Sequence, residues 1–272
     1  MRVYWALFRT VFQQHLQYRV SAAAGAVTNI AYGFFRIFLL TAFYGASRAV
    51  EPMELGDLYS YIWFGQVLFG VLPVAGTTIG SDSEEIRSGD VAYRLTRPVS
   101  LYGYTFARIM GEKITALCSR SLIQVVIIFG LFPLLALSRY GMRLPDGRLL
   151  PFLLVSLVLT ILLSAAIQAS IVLSAFWTVS MRGTATLAYA VISLFSGLLV
   201  PLAFFPPVLR AVADVLPFRG VYDTSAMLYA GSFTLQQALL GLGHQAGWLA
   251  AIVVTGALMA RRGTARLEVA GG

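Results

Sequence analysis

The chain has 272 residues, 58% of them hydrophobic and only 12% charged, and its mean hydropathy is +0.77. A soluble chain of this size carries about a quarter charged residues to cover its surface, so soluble cytosolic and secreted classes are excluded and most of the outside must face lipid. The 20 basic against 12 acidic residues give a net charge of +8, and every basic residue except Lys113 is an arginine. In a bilayer protein that excess reads as basic loop ends meeting anionic headgroups rather than as a nucleic-acid surface. The single cysteine, Cys118, excludes an intrachain disulfide and a cysteine metal cage. His15 and His244 lack neighbours at metal-ligand spacing.

The chain opens on an amphipathic segment. At 100° per residue, Val3, Tyr4, Leu7, Phe8, Val11 and Phe12 fall on one face and Arg2, Arg9, Gln13 and Gln17 on the other. This predicts an interfacial helix over residues 1–19, either a plain surface anchor or one that also touches a cytoplasmic partner. The segment lacks an uninterrupted apolar core and a small-residue cleavage site, so no cleavable signal peptide is expected.

A spanning helix needs about 20 mostly apolar residues. Six runs of that kind follow, over about 21–45, 58–80, 114–137, 149–181, 184–205 and 237–260. The first contains Arg36 and the third Arg120; the fourth is charge-free and long enough to be tilted or to extend beyond the bilayer. All acidic residues fall outside these runs. An even number of spans puts both termini on one side. With that side cytoplasmic, inside segments hold twice as many basic residues as outside loops, which favours cytoplasmic termini. Arg139, Arg143 and Arg148, all between spans three and four, count against it.

Several chemistries are missing. A P-loop needs Gly-Lys followed by Ser or Thr, and the lone lysine sits in Gly111-Glu112-Lys113-Ile114, so ATP work would come from another chain. A proton relay usually places a carboxylate or histidine inside the membrane, and only His244 qualifies. Asp82, Glu84, Glu85 and Asp90 make an acidic group among basic residues, which reads as a solvated helix face or, superficially, as a metal-binding cluster.

The cytoplasmic loop 81–100 reads as a short charged helix ended by Gly89, then an amphipathic stretch stopped by Pro98. Such a helix is either merely solvated or docks a soluble partner through complementary charge. On span two, Tyr59, Trp63, Gln66, Gly70, Pro73 and Thr77 share one face, with Pro73 a point of bending. Span four places Ser156, Thr160, Ser164 and Gln168 in steps of four, and span five offers Tyr189, Ser193 and Ser196. Small polar stripes in lipid read as helix packing or as the lining of a path. Arg36, near mid-bilayer, costs on the order of 3 kcal/mol there. It is expected to be compensated by Asn29 seven positions earlier, by snorkelling, or by an anionic group or carbonyls in a path. Arg120 is expected to snorkel. Pro206, Pro207 and Pro217 bracket a short helix over 208–216, with an apolar side of Leu209, Val212, Ala213 and Leu216 suited to a re-entrant or lid helix.

Taken in order, these features carry a resemblance. Ile86-Arg87-Ser88-Gly89-Asp90 followed by Leu95-Thr96-Arg97-Pro98-Val99-Ser100 resembles the first cytoplasmic loop of ABC type-2 permeases, the membrane subunits of ABC exporters. The run from Ser196 to Pro207, then Leu216-Pro217-Phe218, is similar to the family's fifth span and external helices, and the tail with Leu267-Glu268-Val269 and Gly271-Gly272 is similar to one branch. The resemblance covers essentially the whole chain. It implies an all-α membrane protein in which a single permease domain, 1–272, has six spans, the interfacial helix 1–19, a coupling loop 81–113 and an external re-entrant region 206–235. It also implies a bacterial cytoplasmic (inner) membrane location, two separate ABC ATPase subunits that hold ATP and Mg, a second permease, identical or related, and no nucleic acid. By the same carry-over, Glu84, Glu85, Ile86, Arg87, Gly89, Asp90, Arg94 and Arg97 are expected at the ATPase contact. Spans two and five line the path in that family, so Trp63, Gln66, Thr77, Tyr189 and Ser193 are expected along it, and Arg36 of span one joins them where its charge meets an anionic substrate group. Neither catalytic nor metal residues are implied. The competing classes are a self-contained channel or secondary carrier, and a membrane scaffold without transport.

Overall fold

The computed structural model describes residues 9–10, 13, 19–46, 53–73, 80–91, 100–178 and 180–266. Among them there is helix and turn but no strand. The helices are α1 (Arg19–Ala46), α2 (Leu55–Leu68), α3 (Gly80–Ser88), α4 (Leu101–Leu134), α5 (Leu150–Leu173), α6 (Met181–Phe195), α7 (Pro207–Val215), α8 (Asp223–Ala230) and α9 (Leu235–Thr264). Of the expected interfacial helix 1–19, Arg9, Thr10, Gln13 and Arg19 are described; the first three are helical and exposed, and Arg19 opens α1.

Four stretches are long and apolar enough to cross a bilayer: Ala23–Tyr44, Leu101–Leu134, Leu150–Phe176 and Leu235–Thr264. Spans two and five are shorter than the sequence suggests, at 14 and 15 residues. Local chemistry explains both. α2 ends before Gly70 and Pro73, where helix propensity is poor and the residue before proline leaves the helical region. α6 stops at Phe195 because Gly197 adopts a φ of +84°, the left-handed geometry that ends helices. Span three starts earlier instead. α4 begins at Leu101, where Ser100 accepts a hydrogen bond from Gly103 N at 3.1 Å, and continues unbroken through Arg108, Glu112 and Lys113. Its 34 residues reach about 51 Å, well beyond the hydrocarbon core. Glu112 and Lys113 are therefore helical residues, and Lys113 is buried.

Two π-helical turns, Leu117–Ser121 and Ile127–Leu131, interrupt α4 where it packs on α1 and α2. The most extensive interface joins α5 to α9. α9 starts two residues before expectation because Thr234 and Gln237 form a reciprocal capping box. One end of the bundle gathers α3, the turn Ser174–Phe176 and the last turn of α9, where Phe176 lies against Gly263. The opposite end carries the loop 135–149, α7 and α8.

Candidate functional site

At the first end, α3 presents two faces. Ser83 and Ile86, three residues apart, are buried, while Glu84 and Asp90 are exposed and Glu85 is half-buried. The buried pair seats α3 on the turn Ser174–Phe176 and on α5. Gly89, with a φ of +82°, ends the helix, and the Ser88 hydroxyl donates to Asp90 Oδ2 at 2.7 Å. Val91 returns to the interior. The element is thus a charged outer face mounted rigidly on the foot of α5.

Close by, Lys113 Nζ donates to Val71 O at 2.6 Å, just past the end of α2. Carbonyls at a helix C-terminus lack intrahelical partners and carry partial negative charge, which suits an ammonium. One turn above, the Ser121 hydroxyl donates to Val67 O. α4 therefore holds the frayed end of α2, directly ahead of the segment that leads into α3.

At the other end, a buried polar cluster joins four elements. The Tyr61 hydroxyl on α2 donates to Asp223 Oδ1 at 2.8 Å and lies 3.1 Å from Gly197 O. The Tyr222 hydroxyl donates to Tyr61 O, and Gly65 leaves it room: a Cβ at that glycine would come within 2.6 Å of the phenol oxygen. Asp223 N donates to Ser196 O at 3.1 Å, and Arg219 Nε sits 3.5 Å from Asp223 Oδ2 while its Nη1 reaches Asp214 Oδ1 at 2.6 Å. Arg36 is only 3% exposed, and its Nη2 donates to Leu199 O at 3.2 Å. Its charge also reaches the Tyr61 and Tyr222 phenols electrostatically. Asp223 belongs to the segment between α6 and α9, outside the spanning helices, and burial pushes its carboxyl up to about 6 against the pull of Arg219.

A second network ties α8 to α5 and α9. Ser225 Oγ lies 2.7 Å from both Ser156 Oγ and Thr160 Oγ1. Gln245 accepts from Ser156 Oγ at 2.9 Å and donates to Gly220 O at 2.7 Å and Thr160 Oγ1 at 3.1 Å. All four side chains are completely buried, so the span-four stripe packs helices together there, as small polar residues in lipid do.

Against known protein families, residues 30–271 match the family described as ABC-2 family transporter protein. The chain belongs to the ABC-2 transporter family. It is an all-α, multi-pass membrane protein, a transport component of a family that associates with ABC ATPases. No curated protein matches it.

Within the ABC-2 fold, the expected residues separate. Glu84, Glu85, Gly89 and Asp90 lie together on or just after α3, and Arg87 is helical with them; Ile86 faces the bundle. Arg94, Arg97 and Thr77 lie outside the described residues. Trp63 is buried between α1 and α4, with Phe34 and Phe132 at ring distances of 5.2 and 5.1 Å and its indole N–H donating to Tyr140 O. Gln66, three residues on, is equally buried and has no hydrogen-bond partner among the described residues. Tyr189 is buried and Ser193 half-buried on α6, which meets the segment Pro217–Val221 rather than packing broadly on α2. Among the described residues, Trp63 and Gln66 thus lie in the core between α1, α2 and α4, while Tyr189 and Ser193 lie on α6. Asn29 does not partner Arg36; the Leu199 carbonyl does. Arg120 crosses to α1, where Gly25 makes space: a Cβ there would meet Nη2 at 2.8 Å.

Sequence reasoning missed Tyr61, Tyr222, Asp223 and Arg219. The pair Arg219 and Asp223, four apart beside Pro217, is the available signal, but its partner Tyr61 lies 162 residues away. Lys113 was noted for what it excludes rather than for what it holds.

Proposed function

We propose that this chain is the permease subunit of an ATP-driven ABC exporter in the bacterial cytoplasmic membrane, with both termini cytoplasmic. It pairs with a second permease, identical or related, to form the substrate path, and two separate ATPase subunits supply ATP and Mg. The observation that carries this reading is α3: a short helix whose Ser83 and Ile86 are locked to the foot of α5 while Glu84 and Asp90 face outward. A push on such a helix moves α5 and, through the adjoining turn, the start of α6. The continuous α4 adds a second route, because Lys113 grips the end of α2. At the far end, the cluster around Asp223 ties α2, α6 and α8 together and fits an external gate that a tilt of α6 would strain.

The experiment is charge reversal at the outer face. In Glu84→Lys/Glu85→Lys, the ATPase subunits are expected to copurify less or to hydrolyse ATP without transport. Wild-type assembly together with wild-type transport overturns the reading.

A further inference from the structure

The basic end of α9 contains a cavity of about 620 Å³ that the transport reading does not use. Its walls are Trp177, Thr255, Leu258, Met259, Arg262 and Arg266. The α9 residues recur at helical spacing, so they form one stripe that runs from apolar to cationic. Thr255 donates its hydroxyl to Ala251 O at 2.8 Å, which satisfies its donor within the helix. Leu258 and the adjacent Val254 are exposed outward. At the basic end, the Arg266 guanidinium lies 5.7 Å from the Trp177 ring centre. Neither Arg262 nor Arg266 has an acidic partner among the described residues.

We propose that this cavity is a site for one anionic phospholipid, with the phosphate between Arg262 and Arg266 and an acyl chain along Thr255, Leu258 and Val254. Dimensions agree: from Thr255 to its last residue, Thr264, the helix covers about 13.5 Å, close to one leaflet of an about 30 Å core, and Arg266 follows in the next turn. Chemistry agrees too. Two guanidiniums present forks that match phosphate oxygens, and Trp177 has the amphipathic ring that settles at headgroup depth. The charges are permanent, whereas the floor is apolar; a soluble anion would use only the first, and an uncharged lipid only the second. The position gives the ligand leverage. Trp177 follows directly on the turn Ser174–Phe176 on which α3 rests, and Phe176 is wedged against Gly263 of α9. An occupied site would therefore brace the mounting of α3.

The test uses the purified chain in detergent, titrated with phosphatidylglycerol or phosphatidylcholine and read by native mass spectrometry and thermal shift. One phosphatidylglycerol per chain is expected to bind and raise the melting temperature, with phosphatidylcholine weaker. Arg262→Gln/Arg266→Gln is expected to lose roughly 30-fold in phosphatidylglycerol affinity, from about one electrostatic contact per arginine. Arg182→Gln/Arg261→Gln removes two exposed charges outside the cavity and is expected to bind as wild type. Arg262→Lys/Arg266→Lys keeps the charge and retains most of the binding, which separates loss of the site from loss of fold. Equal loss in the charge-matched control, undiminished binding in the glutamine variant, or equal stabilisation by soluble glycerol phosphate overturns the proposal.

Discussion

The Tyr61 hydroxyl meets the Asp223 carboxylate at 2.8 Å, although the two residues are 162 apart in the chain. Around this bond α2, the end of α6 and the segment leading into α8 converge. Gly197 belongs to the same arrangement, since the Tyr61 hydroxyl occupies the space a side chain there would need. Removing the phenol leaves a buried carboxylate short of a donor, and hydrogen bonds to charged groups contribute about 1.5–3 kcal/mol. Tyr61→Phe is expected to destabilise the protein by about that amount. Gly197→Ala is expected to do worse, because it adds a clash and a side chain at positive φ. Thermal unfolding in detergent measures both, and a Tyr61→Phe protein as stable as wild type would show that the bond contributes nothing.

Asp223 carries a pH dependence of definite sign. Its folded pKa of about 6 exceeds the unfolded value of 3.8, so between those values the folded state binds more protons. Its contribution to stability therefore rises as pH falls from about 6 toward 4 and is flat on either side. Asp223→Asn should remove that slope from the melting-temperature profile while keeping an acceptor for Tyr61. A profile unchanged in the variant would assign the slope to other groups.

What the sequence makes legible here depends on distance along the chain. Apolar run length marks the spans 21–45, 149–181 and 237–260 because each is encoded locally, and Pro207 with Pro217 marks α7. Absence of charge was a poor guide to the start of α4: its first turns carry Arg108 and Glu112, an ion pair four apart at 3.6 Å that helical geometry favours. The arginines of the loop 135–149 tell a similar story. Arg143, awkward for a simple charge count, sits 3.1 Å from Asp57 Oδ1 and 3.4 Å from Glu54 Oε2, so its charge is locally answered. The Asp223 cluster and the Gln245 network depend on pairings across 25 to 162 residues, which no periodicity encodes.

Gln245 tests the α5 to α9 seam. Gln245→Leu would leave Ser156, Thr160 and the Gly220 carbonyl without their shared partner in a dry interface. Intramembrane hydrogen bonds average about 0.6 kcal/mol and reach about 1.7, so a loss of about 2 kcal/mol is expected for the three bonds together. Unfolding in detergent measures it. Ser164→Ala, on the same stripe but outside this network, is the comparison and should cost less; equal costs would count against the network.

Lys113 is a positioning residue, and its test separates fold from coupling. Lys113→Met fits the same volume without the ammonium, and replacing a buried charge by an apolar group of similar size is often neutral for stability. The turn after α2 then loses its anchor at Val71 O. Faster hydrogen exchange over residues 69–73 is expected, with little change in melting temperature. Unchanged exchange there would show that α2 ends where it does without help from α4.

Arg36 decides between a structural and a substrate-facing cation. Arg36 is 3% exposed, holds Leu199 O where α6 gives way to the short helices that follow, and keeps Nε and Nη1 without hydrogen-bond partners among the described residues. A cation enclosed in this way serves the resting fold, since a buried group that loses its partner costs about 1–3 kcal/mol. Arg36→Gln is therefore expected to lower stability by about that much with no cargo present, through release of Leu199 and loosening of the Asp223 cluster. If the purified variant melts as wild type yet fails to transport, the charge acts on the substrate, and the spare donors of Arg36 are its binding groups.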